Sequence, residues 1–532
     1  MRLLLAVLAA TPAALLAAVT PASLFQSCAV LQRDKPVPVW GTAAPGEKVA
    51  VTFAGQTVST TAADDGRWSV TLAALPASAT PATLTISGEN TVTLSDILVG
   101  EVWLASGQSN MEWPVKNTFD ADLEQRTARF PLIREIKVKR ATASAPASTF
   151  EGQWLAASPA TVGEFSAVAY AFAREVHLAL GIPVGIINST WGGTPVEAWM
   201  SPAALASDPA FSVVQERWNQ TLADYPAKKA AHDAALANWN AAKAEAAARN
   251  EPFTKTAPRG PQGPGSPNTP STLHNGMIAP LLPYALRGAI WYQGESNADR
   301  ASEYHALFSA MIQSWRAEFA QPDFPFYWVQ LASFKAGNPD GLNWAALREA
   351  QAHTLALPAT GQAVILDAAV SDTNDIHPRA KLPVGRRLAR LALARTYGDT
   401  TLADSGPVFA SATPVPAPTP TTNQDTSQSM IDNTRTPAAS PVSAAPASLR
   451  VTFAPAGRRV RHPAREITGL EIAGEDRVFH PATAKFEGGS LLVSSPAVPA
   501  PIAVRYAWKN APEAWLQDDL GLPVPPFRSD TW

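Results

Sequence analysis

The chain has 532 residues, room for three or four domains at roughly 150 residues each. Its 42 Lys and Arg against 45 Asp and Glu leave a formal charge of −3, and with only 16% charged residues there is no polybasic field to hold nucleic acid. Hydrophobic residues at 46% exclude a chain disordered throughout, and a lone cysteine, Cys28, excludes an intramolecular disulfide.

The apolar run from Leu3 to Val19, broken by Thr11 and Pro12 and followed by small residues to Ala22, predicts a secretory signal peptide over 1–22. An uncleaved membrane anchor is the other reading, and Pro12 and the short run fit it less well. No later stretch reaches the roughly 18 apolar residues of a membrane span, so the mature chain is expected to be secreted or periplasmic. Residues 23–96 alternate in short β runs such as Val49 to Phe53 and Trp68 to Leu72, with turn clusters like Asp64-Asp65-Gly66 between them, and predict an N-terminal antiparallel β domain.

From 97 to 403 the rhythm changes. Apolar β runs at Ile97 to Ala105, Pro183 to Ser189, Arg287 to Gln293, Phe326 to Leu331 and Ala363 to Ala369 alternate with helical patterns, which argues an α/β layer fold with a parallel sheet. The helix Glu164 to Leu180 carries Phe165, Val168, Phe172, Val176 and Leu180 on one face for the sheet. Within this region about 202–272 reads as an insertion: Lys228 to Arg249 is Ala-, Lys- and Glu-rich with little to bury, and Pro258 to Pro270 is a Pro/Gly loop. No chemistry attaches to it from the sequence. Residues 404–447 form a Pro/Thr/Ser-rich linker or loop, and 448–532 return to β runs, a C-terminal β domain.

Parallel sheets place ligands at the carboxyl ends of their strands, and four strand ends carry chemistry. Ser109, in Ala105-Ser-Gly-Gln-Ser-Asn-Met111, follows a glycine that permits a sharp turn and reads either as a nucleophile or as a helix N-cap. The nucleophile elbow of α/β-hydrolases is not met, since Met111 stands where it needs a second glycine. Gly192-Gly193 could expose backbone N–H groups to a bound oxygen, and Trp291-Tyr-Gln-Gly-Glu-Ser-Asn297 crowds polar side chains, with Gln293 able to donate to an anionic oxygen and Glu295 able to orient a neighbour or bind a hydroxyl. In Ser371-Asp-Thr-Asn-Asp-Ile-His-Pro378, His377 with Asp375 supplies the base and carboxylate that a serine nucleophile needs. No His-Glu-x-x-His or similar spacing occurs, so neither metal nor cofactor is expected.

These blocks, Trp103-Leu-Ala-Ser-Gly-Gln-Ser-Asn-Met-Glu-Trp113, Ile187-Asn-Ser-Thr-Trp-Gly-Gly-Thr-Pro-Val-Glu-Ala-Trp199, Trp291 to Asn297 and Asp375-Ile-His-Pro-Arg-Ala-Lys381, resemble the sialate O-acetylesterase branch of the SGNH/GDSL hydrolases. The resemblance implies a flavodoxin-like core, Ser109 as nucleophile, His377 as base and an oxyanion hole of Ser109 N–H, Gly193 N–H and the Gln293 side chain. Asp375 would be the third member of the triad; Asp372 competes for that role, because the superfamily's usual Asp-x-x-His spacing here meets Asn374. Gln108, Asn110, Glu295 and Asn297 are expected to touch substrate. The expected partner is an O-acetylated sugar or glycan, sialate first. A polysaccharide acetylesterase such as an acetyl xylan esterase uses the same parts, and a non-catalytic secreted carbohydrate-binding protein is the rival of another class.

Overall fold

The strand Thr91–Gly107 joins the two halves of the fold. In the computed structural model, which describes residues 18–416 and 447–532 except 336, 339, 370–372, 456–457, 462–466, 468 and 513–514, it changes partners along its length. Its first part pairs antiparallel with Ser78–Ser87 and parallel with Val30–Gln32; its second part lies between Val184–Thr190 and Gly288–Tyr292, parallel to both. Side chains alternate in and out up to Asp96 and are buried throughout from Ile97, the pattern of a strand that passes from a one-sided to a two-sided sheet. The expected domain boundary at 96/97 therefore falls inside one continuous strand. Tyr284 OH donates to Val30 O at 2.7 Å, and one hydrophobic core runs across both halves.

The core sheet has the order Trp154–Ala157, Phe130–Lys137, Val184–Thr190, Thr91–Gly107, Gly288–Tyr292, Phe326–Val329, Thr360–Ala363. All neighbours are parallel except the first pair. The fold is thus an α/β core with a mostly parallel sheet, carrying antiparallel β structure at both ends of the chain. Because chain order reverses on the two sides of Thr91–Gly107, the carboxyl end of that strand opens a crevice. The last strand is earlier than the apolar run suggests: Thr360–Ala363 pairs with Phe326–Val329, whereas Leu366–Ala369 forms a 3-10 turn. Helix Ala167–Leu180 begins one turn later than its pattern, at the N-cap Ser166, whose Oγ accepts from Ala169 N at 3.2 Å.

Most of the expected leader lies outside the described residues. Its end does not: Thr20–Pro21 pairs with Gly41 and Thr42, and Val19 and Ala22 are buried, so the folded part starts upstream of residue 22. The insertion is the long helix Ser212–Ala248, exposed along most of its length, with Val214 and Ala246 its buried side chains. At the C-terminal end a seven-stranded antiparallel sheet begins with Val408–Val415, which pairs with Ser448–Ala454, so part of the tract expected as linker is an edge strand; 417–446 lie outside the described residues. Buried Arg348 fastens this sheet to the core by donating to the carbonyls of Leu331, Ala332, Lys509 and Asn510. Among the described residues no helix is long and apolar enough to cross a membrane.

Candidate active site

Ser109 is presented by a turn that requires glycine. Gly107 has φ +129°, and a side chain there would meet the Tyr292 carbonyl oxygen at 2.2 Å. Gln108 N donates to that same oxygen at 3.0 Å, and Gln108 O accepts from Met111 N and Glu112 N to start the short helix Ser109–Glu112. Gln108 thus fills the N-cap position that the sequence left open to Ser109. The serine hydroxyl goes elsewhere: Ser109 Oγ lies 2.8 Å from His377 Nε2.

His377 stacks on Trp113, ring centroids 5.0 Å apart and planes 22° from parallel. Asp375 Oδ1 accepts from His377 N at 2.8 Å and lies 3.7 Å from His377 Nδ1, so the carboxylate faces the ring nitrogen remote from the serine at more than hydrogen-bond length. Burial and the nearby Lys381 ammonium hold His377 below the ordinary histidine range, with Asp375 acting the other way. A neutral imidazole has an Nε2 lone pair to accept a hydroxyl proton. Asp372 lies outside the described residues.

The glycine turn closes on the serine. A Cβ at Gly192 would stand 3.0 Å from Ser109 Cβ, and Gly192 N donates to Glu112 Oε2 at 3.1 Å. Gly193 is exposed at φ +76° with open space around it, and among the described residues the N–H groups of Gly193 and of Ser109, the latter at the first position of a helical turn, meet no acceptor. Two backbone donors beside a hydroxyl can receive an oxyanion.

The other expected residues are held by the chain's own groups. Gln293 Nε2 donates to Thr194 O at 3.2 Å and to Asn297 Oδ1 at 2.7 Å, and its oxygen accepts from Tyr304 OH, so Gln293 braces the glycine turn. Asn297 is buried, accepts from Val196 N and Gln293 Nε2, and donates to Glu197 Oε2. Gln108 Oε1 accepts from Ser296 N at 3.3 Å, which ties the serine turn to the third block. Asn110 is buried too, donating to Glu295 Oε1 at 2.6 Å and to Ile376 O at 3.1 Å, so neither it nor Gln108 is placed as a substrate contact. Glu295 Oε2 is buried without a partner among the described residues, and burial raises its carboxyl.

Sequence reasoning missed Lys381. Its fully buried ammonium donates to Asn110 Oδ1 and sits 5.5 Å from the ring centroids of Trp113 and Tyr292; burial brings it down to about 7. The one signal available was its place four residues after His377, in the fourth block.

Residues 272–394, which include Gln293, Glu295 and His377, match the family model for carbohydrate esterases described as sialic acid-specific acetylesterase. The sialate O-acetylesterase of Rattus norvegicus is 30% identical over 423 residues, 73% of this chain and 75% of the relative, and that of Homo sapiens is 30% identical over 424 residues, 73% of each. A crystal structure of a carbohydrate acetylesterase from Xanthomonas citri is 38% identical with a TM-score of 0.77, covering 97% of this chain and 100% of that one. A convergent hydroxyl and imidazole at a strand end, with likeness of this extent and coverage, place the chain in the sialate O-acetylesterase family of carboxylic ester hydrolases.

Proposed function

We propose that the protein is an exported serine esterase that releases acetate from O-acetylated sugars through an acyl-enzyme. Ser109 Oγ attacks the acetyl carbonyl while His377 Nε2 takes its proton; the tetrahedral oxyanion sits on the N–H groups of Ser109 and Gly193. Collapse returns the proton from His377 to the sugar oxygen as the C–O bond breaks. Water then attacks the acetyl-serine, His377 again moving the proton, and acetate leaves. Asp375 orients the imidazole and stabilises its charged form. The observation that carries this reading is the 2.8 Å approach of Ser109 Oγ to His377 Nε2 across 268 positions of chain.

The core is read as flavodoxin-like SGNH, supported by the order 2-1-3-4-5 that Val184–Thr190, Thr91–Gly107, Gly288–Tyr292, Phe326–Val329 and Thr360–Ala363 make once the two strands beyond Val184–Thr190 are set aside. Export rests on the apolar run after Arg2, with removal upstream of Val19 because Val19 and Thr20–Pro21 are packed in the fold. Sialate is the sugar named for the relatives at 30% identity, while the 38% likeness over nearly the whole chain is to a carbohydrate acetylesterase of unstated sugar; polysaccharide is the second reading.

The test is acetate release from O-acetylated sialic acid and from acetylated xylan by the wild type and by Ser109→Ala. Wild-type release from at least one of them, with loss in Ser109→Ala by a thousandfold or more, is expected. A folded Ser109→Ala protein that hydrolyses aryl acetates at the wild-type rate would falsify the reading.

A further inference from the structure

The helical insertion closes a small polar cavity against the loops of the site. The cavity holds about 180 Å³, room for one sugar ring. Helix Ser212–Ala248 supplies Arg217 and Trp218, the loop after it supplies Asn268, and the core supplies Pro195, Ser296 and Arg300. Its wall continues into the glycine turn: Pro195 is three residues from Gly192, at most about 11 Å along the chain, and Gly192 packs on Ser109. From the other side Ser296 N bonds to Gln108, the residue before Ser109.

Both arginines of the wall are ion-paired. Arg217 makes two bonds to Glu303, at 3.1 and 3.0 Å, and Arg300 Nη2 donates to Glu197 at 3.1 Å, with Arg217 a further 3.8 Å from Glu197. Each lining arginine already holds a carboxylate, Arg300 that of Glu197 in the wall and Arg217 that of Glu303 outside the lining, so an anionic ring would have to compete with a pair while a hydroxylated one need not. Among the lining residues, Asn268 Oδ1 and Arg300 Nε are buried with no partner, one acceptor and one donor, the pair that hydroxyl groups satisfy. Trp218 adds an aromatic wall, which suits the C–H face of a sugar. Val214 and Pro270 line both this cavity and a wider groove of about 600 Å³ that leads on past Phe211 and Asn275.

We propose that this cavity is a subsite for a neutral sugar ring adjoining the acetylated sugar, so that the enzyme acts on acetylated glycan chains in preference to free acetylated monosaccharides. The inference rests on the esterase reading above and names the substrate class of that site.

The test uses a monoacetylated xylose and acetylated xylo-oligosaccharides of increasing length, with kcat/KM for acetate release measured for the wild type, Trp218→Ala and Asn268→Ala. The expected result is that kcat/KM rises about tenfold from one ring to two or three, and that the ratio of chain to monosaccharide collapses toward one in Trp218→Ala. Asn268→Ala, a smaller change in a loop, is expected to lower the same ratio and stands in if Trp218→Ala does not fold. A wild-type ratio near one, or a ratio unchanged in both variants, overturns the subsite. If instead the wild type releases acetate from none of the series and from no sialate, the esterase reading itself is at fault, which is a separate outcome.

Discussion

Asn110 is the joint between Lys381 and the two loops that make the site. Its Oδ1 accepts from the buried Lys381 ammonium, while its Nδ2 donates to Glu295 Oε1 at 2.6 Å and to Ile376 O at 3.1 Å. Asn110 follows Ser109 and Ile376 precedes His377, so one side-chain amide sets the serine turn against the histidine loop. The same amide holds a cation near the His377 ring whose effect opposes that of Asp375.

Opposed neighbours give opposed pH shifts. Lys381 lowers His377 and is charged below about 7, where the acid limb of activity lies, so Lys381→Met is expected to move that limb of kcat/KM to higher pH. Asp375 raises His377, so Asp375→Asn is expected to move it lower, with kcat reduced roughly a hundredfold. Aryl acetate kinetics across the histidine titration range read both; shifts in the same direction would refute the arrangement.

Gly192→Ala tests how closely the glycine turn meets Ser109. The added methyl would stand 3.0 Å from Ser109 Cβ and 3.5 Å from Glu112 Oε2, so the turn must shift by a few tenths of an ångström. We expect kcat to fall by roughly tenfold or more while the melting temperature changes little, because the cost is misplacement of the donors and not lost core. An unchanged kcat would show that the turn lies apart from the reacting atoms.

Gln293 separates bracing from direct contact. Gln293→Ala leaves Asn297 Oδ1, Thr194 O and Tyr304 OH short of a partner in the core, at a cost of roughly 1–3 kcal/mol. Gln293→Glu is expected to be worse, because a carboxylate faces the two acceptors with no hydrogen to give. Thermal melts of both variants beside their kcat values provide the check: a large loss of kcat with an unchanged melting temperature would restore Gln293 as a direct donor.

Glu135 predicts the pH dependence of stability. It is buried in strand Phe130–Lys137, accepts from Asn188 Nδ2 at 2.8 Å and Ser166 N at 3.2 Å, and burial pushes its carboxyl up to about 7. A carboxyl raised in the folded state binds its proton more tightly there than in the unfolded chain. Its stabilisation is therefore complete below the ordinary carboxylate range and lost as pH rises through about 7, an effect on the order of 3 kcal/mol. Melting temperatures of the wild type should decline over that window, and those of Glu135→Gln should be flatter; parallel curves would show that Glu135 does not titrate.

The elements with strong local patterns were readable from the chain. The apolar run from Ile97 and the face of Ala167–Leu180 follow from periodicity, and the search of strand ends found Ser109 and His377, which the fold brings to 2.8 Å. Ala363 to Ala369 misled because a short apolar run has the same composition in a buried strand as in a buried turn, and neighbour pairing alone decided that Thr360–Ala363 joins the sheet.

Direction and partnership of polar side chains were beyond reach. Gln293 and Asn297 looked like ligand contacts because polar groups at a strand end need partners, yet those partners came from Thr194, Val196, Glu197 and Tyr304. Lys381 drew no reading of its own from the sequence, because only folding closes Trp113, Tyr292 and Asn110 around it. The sequence by itself determined which stretches become sheet and helix and which residue types stand at the strand ends, since propensity and periodicity act over a few residues. Which of those groups face the serine, which brace it, and what the insertion encloses were decided only in three dimensions, because hydrogen bonding and burial depend on atoms that lie hundreds of residues apart.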